Sequence, residues 1–171
     1  HLVSPRSECQ SLPDSLAGFM SDSSESLQTF YVWNQRLDHV PCARESFSDA
    51  LECADVLVVA DPASAPDAHH LELLERFVSQ GGRLLVMGDV ESAEAANAFL
   101  GPFGMRIPPL DGDGARAYRS EDGGELSPMS SAGTVSGGEG FVFVTSGEPM
   151  GASVVNGDGI VVAFADRRVM R

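Results

Sequence analysis

Two apolar runs that each stop on an aspartate constrain this chain most: Asp55-Val-Leu-Val-Val-Ala-Asp61 and Arg83-Leu-Leu-Val-Met-Gly-Asp89, joined by one segment of helix length. Strands covered on both faces read as continuous Val/Leu/Ile runs instead of alternating ones, and a parallel pair needs a crossover of about a dozen residues. The pattern predicts a βαβ unit in an α/β protein. Ligands of such sheets gather where strands end at their carboxyl edge, which makes Asp61 and Asp89 candidate site residues. No nucleophile, glycine-rich phosphate loop or metal cluster accompanies them in the sequence.

Composition narrows the function classes. A chain of 171 residues with 43% hydrophobic content suits one domain better than two. The formal net charge of -14 opposes docking on nucleic-acid phosphates or an anionic leaflet, so no nucleic-acid partner is expected. All 11 basic residues are arginine. Without lysine there is no Schiff-base chemistry, no pyridoxal phosphate attachment and no P-loop lysine. Cys9, Cys42 and Cys53 lack the paired spacings of a zinc site or a disulfide framework, although Cys42 and Cys53 are near enough in sequence for one bridge. No apolar stretch reaches the roughly 18 residues of a membrane span. Because the chain begins at His1, we expect a processed piece whose membrane contact, if it has one, runs through segments outside it.

Read along the chain, residues 1–21 form an irregular N-terminal arm and residues 22–171 a single α/β domain. Asp22-Ser-Ser-Glu25 has capping-box spacing, and Leu27, Phe30, Tyr31 and Leu37 recur at helical spacing until Pro41. On that helix Trp33 reads as a packed aromatic and Arg36 as a solvated charge. Ser46 to Ala54 suits a short helix. Ser64-Ala-Pro66-Asp67 opens the next one, Leu71, Leu74, Phe77 and Val78 make its inner face, and Gly81-Gly82 closes it. A further helix, Ser92 to Leu100, follows the second strand. Residues 108–140 turn rich in Gly, Ser, Asp and Pro and read as a long loop region with one strand at Ala115 to Arg119. Strands resume at Phe141 to Thr145, and Ala152 to Val155 meets Ile160 to Ala165 through Asn156-Gly-Asp-Gly159, a C-terminal antiparallel hairpin.

Most catalytic signatures fail on spacing. Gly133-Thr-Val-Ser136-Gly137 lacks the nucleophile-elbow pattern. Adjacent His69 and His70 point to different helix faces and cannot act as an i, i+4 ligand pair. Asp111-Gly-Asp113-Gly114 opens like a calcium loop, but Arg116 sits where glycine is required and Asp122 replaces the bidentate glutamate. No metal or cofactor is expected. Three aspartates, Asp61, Asp89 and Asp166, close apolar runs and form the candidate ligand-binding set: three parallel strand ends converging on one crevice would hold a divalent cation or polyol hydroxyls. The competing role is helix capping, which Asp89 is placed to perform.

Four segments carry a family resemblance: Leu27-Gln-Thr-Phe-Tyr-Val-Trp-Asn-Gln-Arg36, Ala54-Asp-Val-Leu-Val-Val-Ala-Asp-Pro62, Phe77-Val-Ser-Gln-Gly-Gly-Arg-Leu-Leu-Val-Met-Gly-Asp89 and Ala96-Asn-Ala-Phe-Leu-Gly-Pro-Phe-Gly104. Together they resemble uncharacterised bacterial domains of the class I glutamine amidotransferase-like superfamily. Relatives include trehalose-utilisation-like domains, the trimerisation domain of some β-galactosidases and auxiliary subunits of gliding-motility transporters. The span Gly157 to Asp166 resembles the family's late strand, and the chain stops at Arg171, short of its closing helix. The resemblance implies a three-layer sandwich with a mainly parallel, flavodoxin-like sheet, in proteins often exported or fused to membrane segments. Amidotransferase activity is not implied, because Met87-Gly-Asp-Val90 stands where the catalytic cysteine turn belongs and no His-x-Glu pair follows. The expected function is a non-catalytic ligand-sensing or assembly module of a larger, membrane-associated or exported protein with protein partners or flanking domains. The alternative is a hydrolase or lyase on a small polar or carbohydrate substrate, using the strand-end aspartates.

Overall fold

The structure, a computed structural model, describes residues 28–37, 39–41, 47–52, 54–89, 91–109, 116–120, 125–129, 133–144 and 146–166. The chain divides into two compact units, His1–Leu57 with Arg168–Arg171, and Val58–Arg167. The expected arm over 1–21, the capping box at Asp22, all three cysteines and most of the calcium-like loop from Asp111 lie outside the described residues.

In the first unit, α1 (Gln28–Arg36) and α2 (Phe47–Glu52) occupy the two predicted helical stretches. The last turn of α1 is closed by Leu37 N–H donating to the Trp33 and Asn34 carbonyls at 3.0 and 3.2 Å. Trp33 does not pack as expected. It is 54% exposed, with the Arg36 guanidinium 5.7 Å from its ring centre, because the i, i+3 spacing places the charge directly over the indole.

The strands of the sheet are β1 (Val56–Ala60), β2 (Arg83–Met87), β3 (Arg116–Ser120), β4 (Glu125–Met129), β5 (Glu139–Val144), β6 (Pro149–Asn156) and β7 (Gly159–Phe164). Their spatial order is β1-β2-β7-β6-β5-β3-β4. Between β1 and β2 runs α3 (Ala68–Ser79), and after β2 runs α4 (Ala93–Leu100) with a single 3₁₀ turn, Gly101–Phe103. The protein is therefore α/β, but the mainly parallel sheet expected from the sequence is corrected to a mixed one. β2 and β7 pair in parallel, whereas β7–β6, β6–β5, β5–β3 and β3–β4 are antiparallel. The C-terminal hairpin is antiparallel as expected, its two-residue turn reversing the chain, and the change comes beyond it, where β5, β3 and β4 extend the sheet in antiparallel pairs from the free edge of β6.

Within residues 108–140 the strand expected at Ala115 to Arg119 is β3, and the loop expected around it also holds β4 and the start of β5. Tyr118 lies opposite Val144 and Arg119 opposite Phe143. These short strands have weak local signals and gain their order from a partner edge.

The core follows the strand register. Leu84 lies opposite Val161 and Val86 opposite Ala163, all four buried. Against these strands α3 contributes Leu74 and Val78, both 0% exposed. Fully burying each such side chain stabilises by about 1.5–3 kcal/mol. Helix α3 starts later than the predicted opening at Ser64-Ala-Pro66-Asp67: Pro66 lies outside it and Asp67 is its N-cap, with the carboxylate accepting the His70 amide at 2.8 Å. It stops at Gly81, whose φ of 102° lets Gly82 N–H return to the Phe77 carbonyl at 2.9 Å.

The segment Asn97-Ala-Phe-Leu-Gly-Pro-Phe-Gly104, which carried part of the resemblance, has a structural role throughout. Leu100 and Phe103 are buried, and the Gly104 amide closes the 3₁₀ turn on the Gly101 carbonyl at 3.0 Å. Asn97 clamps the outgoing chain by donating to the Ile107 carbonyl at 2.9 Å and accepting the Ile107 amide at 2.6 Å.

Candidate functional site

The carboxyl ends of β1 and β2 lie side by side, because the amide of Asp61 donates to the Met87 carbonyl at 2.9 Å. Across β2, the amide of Gly88 donates to the Phe164 carbonyl at 3.1 Å. The loops that leave these ends border an open cleft of about 510 Å³, lined by residues 61–65 and by Asp89, Glu91, Ser92, Glu94 and Ala95. Four lining residues are acidic, Asp61, Asp89, Glu91 and Glu94, and no lining residue is basic.

Ser92 organises the centre of this cleft. Its hydroxyl lies 3.0 Å from Asp61 Oδ1 and 3.3 Å from Asp89 Oδ1, and it accepts the Asp89 amide at 3.0 Å. A hydroxyl has one proton to donate, and the shorter contact makes Asp61 the better acceptor. The same oxygen, Asp89 Oδ1, accepts the amides of Glu91 at 2.9 Å and Ser92 at 3.0 Å. Asp89 thus does not cap α4 as the sequence suggested: the N-cap is Ser92, which makes no side-chain cap bond, and the Asp89 carboxylate closes the turn just ahead of the helix.

Asp61 has a left-handed backbone, φ 43°, the one positive φ at a described non-glycine residue. Aspartate tolerates this region better than most side chains, but the conformation still costs on the order of 1 kcal/mol. The local reason is geometric. The chain must leave β1 sharply for Asp61 to reach both the Met87 carbonyl and the Ser92 hydroxyl.

Of the three predicted aspartates, the structure brings Asp61 and Asp89 together and leaves Asp166 out. Asp166 follows β7 but is 1% exposed and does not line the cleft. Sequence reasoning missed Ser92 as the bridge and saw it only as a helix start. The available signal was local, a serine three residues after Asp89, the spacing at which side chain and backbone satisfy each other. Glu91 and Glu94 were also missed.

The other sequence candidates lie elsewhere. Nδ1 of His70 is 3.0 Å from Asp67 Oδ1 at the start of α3. Asp67 is held below the ordinary carboxylate range, chiefly by the His70 amide. Ser136 exchanges backbone hydrogen bonds with Arg106 and accepts its Nε at 3.1 Å. Among the described residues, no group of three or more His, Cys, Asp and Glu side chains is placed to hold a metal ion, and no helix is long and apolar enough to cross a membrane.

By sequence the chain matches no protein-family profile and no curated protein. Solved structures share its fold. An exo-β-1,4-mannosidase, Op5Man5, from Opitutaceae bacterium strain TAV5 aligns with TM-score 0.56 at 17% identity, over 82% of this chain and 26% of its own. A β-galactosidase from Bacillus circulans sp. alkalophilus aligns with TM-score 0.61 at 14% identity, over 88% of this chain and 26% of its own. The N-terminal domain of mmIFT52 aligns with TM-score 0.62 at 12% identity, over 87% of this chain and 84% of the domain. The chain therefore spans about a quarter of the length of the two glycosidases. At these identities the likeness is one of fold.

Proposed function

We propose that this chain is a non-catalytic ligand-sensing or assembly module of a larger protein, of the amidotransferase-like type, with the acidic cleft as its ligand-facing part. One observation carries the reading: the fold covers most of this chain but only 26% of each glycosidase chain, so it recurs as a portion of larger proteins. The turn after β2 supports it. Where an amidotransferase would place a nucleophile, this chain has Asp89, whose carboxylate is engaged by two backbone amides. Flanking domains or a protein partner, in an exported or membrane-associated setting, complete the proposal.

The test is thermal unfolding of the protein against divalent cations, sugars, amino acids and nucleotides, with chelator controls. A ligand at a hundredfold excess over its Kd adds about 2.7 kcal/mol, a shift of roughly 5–11 °C for a domain of this size. A shift abolished by Asp89→Asn supports sensing at the cleft. A flat panel together with a purely monomeric larger protein would overturn the proposal in both its forms.

A second reading, a hydrolase on a small polar or carbohydrate substrate, is favoured by the pairing of Asp61 and Asp89 through Ser92 and by the fold shared with glycoside hydrolases. Turnover of aryl glycosides that disappears in Asp61→Asn and Asp89→Asn would select it over the module.

A further inference from the structure

We draw no further inference here: the strongest candidate, the acidic cleft between the loops that follow β1 and β2, belongs to the site already described, and nothing in the structure shows what occupies it.

Discussion

Replacing Asn97 with alanine removes a clamp that joins α4 to the chain leaving it. The side chain makes two hydrogen bonds to one residue, accepting from Ile107 N–H at 2.6 Å and donating to Ile107 C=O at 2.9 Å. Ile107 is 0% exposed, so neither group regains water easily once the amide is gone. An intramolecular hydrogen bond contributes about 1 kcal/mol net, but a buried donor or acceptor left unpaired costs about 1–3 kcal/mol. Two such losses are offset by about 0.5 kcal/mol, because alanine is the better helix former. The expected destabilisation is about 3 kcal/mol, a fall in Tm of roughly 6–12 °C. Asn97→Asp tests the geometry, since it keeps the acceptor for the Ile107 amide but faces the carbonyl with a second oxygen until it is protonated. Circular-dichroism melts should therefore show Asn97→Asp recovering part of its loss on acidification, while Asn97→Ala does not. An Asn97→Ala protein that melts within about 1 °C of the parent would refute the clamp.

Further substitutions have expected outcomes of their own. Ser92→Ala should cost about 2 kcal/mol in urea unfolding, through the lost bond to Asp61 and the lost acceptor for the Asp89 amide. At Asp61 itself, Asp61→Asn keeps an acceptor and tolerates the left-handed backbone, whereas Asp61→Val should cost more than about 2 kcal/mol; equal stabilities would show that the strain is absent. Gly159→Ala drives its new methyl group into the carbonyl oxygens of Val78 and Gly82, so it should reduce the folded yield sharply. For Asp67, the lowered native value means that the unfolded chain binds more protons as the pH falls below the ordinary carboxylate value. Its contribution is present above that value and is lost as pH falls through the lower native one. Asp67→Asn, which can still cap α3, should flatten this part of the stability profile, and an unchanged acid limb would refute the assignment.

What the sequence by itself determined is local. The apolar runs at 56–60 and 83–87 are strands, Gly81 ends α3, and Gly157-Asp158 turns the last hairpin. Each of these signals is complete within a few residues, because burial period, capping and turn geometry depend on near neighbours. Only the tertiary structure decided which strand lies beside which. No periodicity in Ile160 to Phe164 states that this strand pairs with Arg83 to Met87, and that choice makes the sheet mixed. The same limit governs the site. Three aspartates looked equivalent at the ends of three apolar runs, yet Asp166 is buried while Ser92, 31 positions from Asp61, joins the other two. Strand partners and side-chain bridges at that separation are selected by packing the whole unit, where the entropy of closing long loops is offset by apolar burial that no short window of sequence contains.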